Sequence, residues 1–366
     1  MSKRRTIFID GHVLTGIPQG TVTYIKGLYR AINEINDFEL IFGVDNIELA
    51  SNQLAIPDAK LIAYNSSNKF YRLAYNIPSI IAKYKCDLSH FQYIVPFVKN
   101  SKQIVTIHDV IFLDFPNLFP YSYRLQNKYL FDFAAKKSDL VCTVSNYSKE
   151  KLKEHFLVPE EKLHVTPNAT FMVNSNENNI DIKSKYGLSK YILFVSRIEP
   201  RKNHLQLLKA YIELKLYEKD YSLVFIGSNA IKSSTLSEFL DKLTSSIKNK
   251  IIFLNQLNDS ELSSFYIQAD LFVFPSLAEG FGIPPLEAAL NHTKVLCSNA
   301  TAMNEFTFFA KYNLLFDPNN LKEFKEKITL LLKERQYPYD KIKNEIESKY
   351  NWDSIATNFI KRIHGL

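Results

Sequence analysis

The sequence predicts an α/β protein made of two Rossmann-like, doubly wound domains. Three observations carry that prediction. Short, continuously apolar runs rich in β-branched and aromatic residues alternate with helix-like segments, as strands do in a parallel sheet covered on both faces. The runs form two series, separated by the polar, aperiodic stretch Asn174 to Asn179. The length of 366 residues exceeds one ordinary core; it suits two domains of roughly 150–190 residues each.

In chain order, the first series reads TIFID (6–10), ELIFGV (39–44), KLIAY (60–64), DLSHF (87–91), QIVTIHD (103–109), LVCTVS (140–145) and LHVTP (163–167). The second reads YILFVSR (191–197), SLVFIGS (222–228), IIFLN (251–255), DLFVFPS (270–276) and VLCSN (295–299). These place an N-terminal domain over 1–173 and a C-terminal domain over 188–345. The tail from Tyr337 to Leu366 holds the only tryptophan, Trp352, and reads as helical. Its last part, 346–366, can complete the first domain.

Composition narrows the class. The chain is 46% hydrophobic and 23% charged, which is a globular balance. Cys86, Cys142 and Cys297 are too few and too far apart for a disulfide framework, and no Cys/His grouping has zinc-ligand spacing. The start, MSKRRTIFIDGHV, lacks the apolar stretch of a signal peptide. No run reaches the ~20 apolar residues of a membrane span. A soluble, cytosolic protein is the expectation, with no nucleic-acid partner.

The net charge of +7 is locally uneven. From Lys60 to Lys102 there are seven basic residues (Lys60, Lys69, Arg72, Lys83, Lys85, Lys99, Lys102) against Asp87, interleaved with Phe70, Tyr71, Tyr75 and Tyr84. Such a segment can lie on an anionic membrane surface. It can equally be a solvated face over core aromatics, and both readings stay open.

Ligands of open α/β sheets bind at the carboxyl ends of the strands. Four post-strand segments there carry chemistry. In PSLAEGFGIPPLEAAL (275–290), Gly280 and Gly282 let backbone N–H groups approach a ligand, and Pro284-Pro285 opens a helix whose N-terminus suits an anion. Glu279 sits in the loop, and Glu287 is expected in the first helical turn. A helix-start acid would account for Glu287 alone, but not for a second carboxylate on the same loop.

In FVSRIEPRKNHLQLLKAY (194–211), Arg197 and Lys202 follow a strand and can neutralise a diphosphate, with Arg201 as a substitute; a solvated basic loop is the plainer reading. In TIHDVIFLDFPNLFP (106–120), His108 ends a strand. In GHVLTGIPQGTVTYIKGLYRA (11–31), Gly16 and Gly20 precede an amphipathic helix, with Ile17-Pro18-Gln19 between them. No Asp-x-Asp pair, a common carboxylate arrangement for a catalytic metal, occurs anywhere in the sequence.

The spacing E-G-F-G-x-P-x-x-E from Glu279 to Glu287 resembles the signature of retaining glycosyltransferases of family 4, which have the GT-B fold. The H-D stretch at His108 resembles in particular the bacterial polysaccharide mannosyl- and rhamnosyltransferase-like branch. R-x-x-x-x-K-N at Arg197 and Lys202, and H-D at His108, resemble the same family. The resemblance implies two Rossmann-like domains facing across a cleft, with the acceptor on the first and the nucleotide-sugar on the second. It implies Glu279 and His108 against the donor sugar and Glu287 on the ribose. The diphosphate then meets Arg197, Lys202, Gly20 and the loop Gly280, Phe281, Gly282 and Ile283. It implies no metal and no cofactor, and transfer to a glycan or lipid-linked sugar; on the membrane-surface reading, the basic segment from Lys60 to Lys102 would suit a lipid-linked acceptor at the inner membrane face. Ser145 and Asn168 would line the cleft.

Two departures stand out. Asn291 to Lys294 replaces a turn that often contains Gly-Pro, and Ala300-Thr-Ala-Met-Asn-Glu305 replaces a stretch that often has glycines. The alternatives are a sugar-nucleotide epimerase of the same fold, for which paired acid/base groups are lacking, and a non-catalytic nucleotide-sugar-binding module.

Overall fold

The structure, a computed structural model, describes residues 4–16, 20–66, 68–170, 180–228, 234–255 and 257–366. The polar stretch Asn174 to Asn179 and the Ile17-Pro18-Gln19 insertion lie outside them. The chain divides into two compact units, 1–170 together with 350–366, and 171–349.

The first unit is built on seven strands: β1 (Arg5–Asp10), β2 (Phe38–Val44), β3 (Lys60–Ala63), β4 (Leu88–Gln92), β5 (Lys102–Thr106), β6 (Leu140–Thr143) and β7 (Leu163–Val165). Their order is β3-β2-β1-β4-β5-β6-β7, with parallel pairings throughout. Successive strand residues point to opposite faces. Full burial of Ile7, Phe8 and Ile9 in a row therefore means that both faces of β1 are covered.

Helix Gly20–Ile35 lays Tyr24, Ile25, Leu28, Tyr29 and Ile32 inward at helical spacing. Helix Trp352–His364 starts where the Asn351 side chain accepts from the N–H groups of Asp353 and Ser354. It packs on Gly20–Ile35 so closely that a Cβ on Gly27 would lie 2.0 Å from the Trp352 ring.

The second unit has six parallel strands: β8 (Lys190–Val195), β9 (Tyr221–Ile226), β10 (Ile251–Leu254), β11 (Leu271–Phe274), β12 (Val295–Ser298) and β13 (Leu315–Phe316). Their order is β10-β9-β8-β11-β12-β13. The direction of strand order reverses between β1 and β4 in one unit and between β8 and β11 in the other. At such a switch point two loops diverge and leave a crevice outside the strand ends. The loops after Val195 and Phe274 start there, side by side.

Several sequence expectations shift locally. β5 ends at Thr106 and β8 at Val195, so His108 and Arg197 each lie two residues beyond their strand. Helix Ile283–Leu290 begins early enough that Glu287 is its fifth residue, in the second turn rather than the first. The tail forms two helices, Tyr339–Lys349 and Trp352–His364. β13 was not expected at all. Among the described residues, no helix is long and apolar enough to cross a membrane.

Candidate functional site

The two loops at the β8/β11 switch point are stitched together. Leu277 N–H donates to the Arg201 carbonyl at 2.8 Å, and Asn203 Nδ2 donates to the Pro275 carbonyl at 3.2 Å. A 3-10 turn, Pro200–Lys202, turns consecutive side chains onto one carboxylate. Arg201 Nη1 lies 2.8 Å from Glu279 Oε2 and 2.9 Å from the Ala278 carbonyl oxygen. Lys202 Nζ lies 2.5 Å from Glu279 Oε1. Arg201 Nη2 also pairs with Glu199 Oε1 at 2.7 Å, and Arg197 Nη2 reaches the same oxygen at 3.7 Å.

Glu279 is only 6% exposed. Burial alone pushes its carboxyl up, but the Lys202 ammonium and Arg201 guanidinium more than reverse this and hold it at about 2. A buried carboxylate without such partners would neutralise instead. At neutral pH Glu279 is therefore an ionised acceptor with no proton to give. Burial and the adjacent Arg201 pull Lys202 below the ordinary lysine range, against the attraction of Glu279. An added anion beside Lys202 would stabilise its charged form.

The loop Gly280 to Ile283 follows directly. Gly282 has φ 103°, a left-handed conformation that glycine takes without a Cβ penalty, and it caps helix Ile283–Leu290 with no side-chain hydrogen bond to the helix start. Unsatisfied N–H groups at a helix start and the helix dipole favour an anion. Glu287 is half-buried, its Oε2 accepting from the Tyr266 hydroxyl at 2.8 Å. Burial raises its carboxyl above the usual range, the Tyr266 bond opposing.

His108 and Gly20 belong to the first unit. Gly20 is exposed at the start of its helix. His108 is 5% exposed, with Nε2 2.7 Å from Gln92 Oε1 and its ring edge-on to Tyr24 at 5.1 Å between centroids. Burial lowers it to about 3, so the imidazole is neutral near pH 7. It can hydrogen-bond a ligand but is a poor base there. Ser145 caps helix Asn146–Phe156 by accepting from Ser148 N–H at 3.1 Å, and Asn168 is buried.

Of the aromatics in the basic segment, Phe70, Tyr71 and Tyr75 are exposed and Tyr84 is half-buried. Among the described residues, one group of possible metal ligands gathers, Asp114, Glu154 and His155. Lys151 lies 3.4 Å from Asp114 and 2.7 Å from Glu154, so an ammonium already pairs with two of the three.

The structure thus brings together Arg197, Lys202 and Glu279, joined by Glu199 and Arg201. Glu199 had a signal in sequence, a lone acid within the basic loop R-I-E-P-R-K. Tyr266 and Gln92 had none, because their contacts cross between elements.

Two family models match the chain. Glycosyltransferase Family 4 matches residues 19–170, and Glycosyl transferases group 1 matches residues 175–348. O-antigen chain mannosyltransferase B of Escherichia coli is 27% identical over 327 residues, 84% of this chain and 84% of its own. O-antigen chain mannosyltransferase RfbU of Salmonella typhimurium is 28% identical over 211 residues, 58% of this chain and 55% of its own. Among solved structures, the Anabaena protein HepE in complex with UDP-glucose aligns over 100% of both chains with a TM-score of 0.77 at 16% identity. A glycosyltransferase from Rickettsia africae aligns over 98% of this chain and 97% of its own, with a TM-score of 0.68 at 21% identity. At these identities the structures speak for the fold.

Proposed function

The chain belongs to glycosyltransferase family 4 and has the GT-B fold, and on that premise we propose that it moves a sugar from a nucleoside diphosphate donor to a hydroxyl of a glycan or lipid-linked acceptor, with retention of anomeric configuration. The observation that carries this reading is Glu279, a buried carboxylate kept ionised by Arg201 and Lys202 at the switch point, beside a helix start whose capping residue is Gly282. An ionised, acceptor-only carboxylate suits sugar hydroxyls. The cations and the helix start suit a departing diphosphate.

In the proposed reaction the bond from the anomeric carbon to the phosphate oxygen breaks, and its electron pair leaves with the diphosphate. Arg197, Lys202 and the amides of Gly280 to Ile283 take up that charge without a metal, in keeping with a sequence that lacks Asp-x-Asp. The acceptor hydroxyl attacks from the same face, and its proton passes to the leaving phosphate oxygen. Glu287 holds ribose, and neutral His108 contacts the donor sugar. The proposed donor is a GDP- or UDP-sugar and the proposed setting bacterial surface polysaccharide synthesis, in line with the O-antigen mannosyltransferases among the relatives. Exposed Phe70, Tyr71 and Tyr75 among the basic residues suit peripheral contact with an anionic membrane that presents a lipid-linked acceptor.

One assay tests the reading. Transfer from GDP- and UDP-sugars is followed in excess EDTA, to a lipid-diphosphate sugar and to the free sugar, with Glu279→Gln alongside. Transfer should persist in EDTA, favour the lipid-linked acceptor, and fall roughly 100-fold or more in the variant, the scale of losing a preorganised polar contact. A folded Glu279→Gln with full activity would sink the assignment. Equal use of both acceptors would remove the membrane-presented one.

A further inference from the structure

Thr301 opens the 3-10 turn Thr301–Glu305 after β12, with its backbone in the left-handed region at φ 54°. Glycine takes that conformation without cost, whereas a β-branched residue rarely adopts it. Two hydrogen bonds account for it here. The Thr301 hydroxyl oxygen accepts from Glu279 N–H at 2.8 Å, and the hydroxyl donates to the Glu279 carbonyl at 3.0 Å. Ala302 N–H adds a longer bond of 3.4 Å to the same carbonyl.

One side chain therefore brackets both polar groups of the Glu279 main chain, while Lys202 and Arg201 hold its carboxylate from another loop. The turn also closes on the glycine loop, since a Cβ on Gly282 would meet Met303 Cγ at 3.3 Å and Phe306 Cε2 at 3.4 Å. A strained residue kept in place by bonds to a site residue is a common mark of a functional constraint.

We propose that Thr301 is a positioning residue for sugar transfer. Its hydroxyl fixes the Glu279 peptide, so that the carboxylate is presented to the donor sugar in one geometry. This rests on the reading of Glu279 as the donor-sugar carboxylate. The shape of the side chain is not what the site uses. Serine would keep both bonds, valine would keep the shape without them, and glycine would relieve the backbone while losing them.

The test compares Thr301→Ser, Thr301→Val and Thr301→Gly with wild type and Glu279→Gln, using GDP-mannose and UDP-glucose as donors. The serine variant should keep kcat within roughly threefold, and the valine and glycine variants should lose roughly tenfold or more, the range for removing a supporting hydrogen bond. Binding of GDP and UDP without the sugar should change less than kcat, because the Thr301 hydroxyl bonds to the Glu279 peptide and not to Glu287 or Arg197. Amide exchange at Glu279 should quicken in the valine and glycine variants alone. Wild-type kcat in those two overturns the proposal. So does a loss that serine does not rescue and that falls in step with nucleotide affinity and melting temperature. If Thr301 variants stay active while Glu279→Gln is inactive, only the positioning role fails. An active Glu279→Gln removes the underlying reading as well.

Discussion

Five charges alternate along the stitched loops of the second unit: Arg197, Glu199, Arg201, Glu279 and Lys202. Three cations against two anions leave one net positive charge, which suits the proposed diphosphate. The cations differ in burial. The Arg201 side chain is 15% exposed and bonded to both acids, whereas Arg197 is 40% exposed and reaches one acid at 3.7 Å. Arg201→Leu should therefore lower both stability and activity, with a loss of up to about 3–5 kcal/mol for a broken buried pair. Arg197→Leu should lower transfer while changing stability by less than about 1 kcal/mol. Urea unfolding and donor kinetics on both variants check this, and equal stability losses would contradict it. R-x-x-x-x-K-N spacing made Arg197 and Lys202 legible in sequence. The contact of Arg201 with Glu279 was not, because it depends on the 3-10 turn Pro200–Lys202 and on the loop after β11. The bracketing of Glu279 by Thr301 was hidden for the same reason, although the missing glycines at 300–305 marked the place.

At the level of elements, the strands of both sheets were legible because burial on two faces makes most of their residues apolar, even where a polar residue such as His90 or Gln92 is buried among them. The exception is Leu315–Phe316, too short to stand out from the loop around it. Helix starts were less clear. Two prolines located helix Ile283–Leu290, but its first residue set Glu287 one turn deeper than the sequence suggested. An amphipathic tail likewise shows that one face is covered without showing by what. Here helix Trp352–His364 is covered by Gly20–Ile35, with Trp352 against Gly27. Alanine in place of an interior helical glycine ordinarily stabilises by about 1 kcal/mol. At position 27 the ring leaves no room, so Gly27→Ala should instead destabilise the first unit by about 1–3 kcal/mol. Chemical denaturation of the variant gives the sign. Stabilisation would mean that the two helices do not pack this closely.

For the molecule as a whole, acid stability follows from buried histidines. His90, His108 and His204 are each held near about 3 by burial, against 6.5 for an exposed histidine. Their folded values are depressed, so between pH 6.5 and about 3 the unfolded chain holds protons that the folded chain does not. Stability is then full above pH 6.5 and falls as the pH drops, by about 1.4 kcal/mol per pH unit for each histidine. Glu279, depressed from 4.5 to about 2, adds a loss in the same direction at lower pH. Glu287, shifted upward, opposes both. Melting temperature should accordingly decline from pH 7.5 to pH 5. The first unit, which holds His90 and His108, should shift more than the second, which holds His204. A flat profile over that range would contradict the burial of these rings.

The central claim, a nucleotide-sugar donor site around Glu279 and Glu287, is tested most directly by melting the protein with GDP-, UDP- and dTDP-sugars in EDTA. At a hundredfold excess over Kd a true donor stabilises the folded protein by about 2.7 kcal/mol. One donor class should raise the melting temperature saturably. Glu287→Gln should weaken the response to the nucleoside diphosphate itself, and Glu279→Gln should remove only the extra response to the attached sugar. No shift with any of the three donors, or unchanged shifts in both variants, would contradict the account.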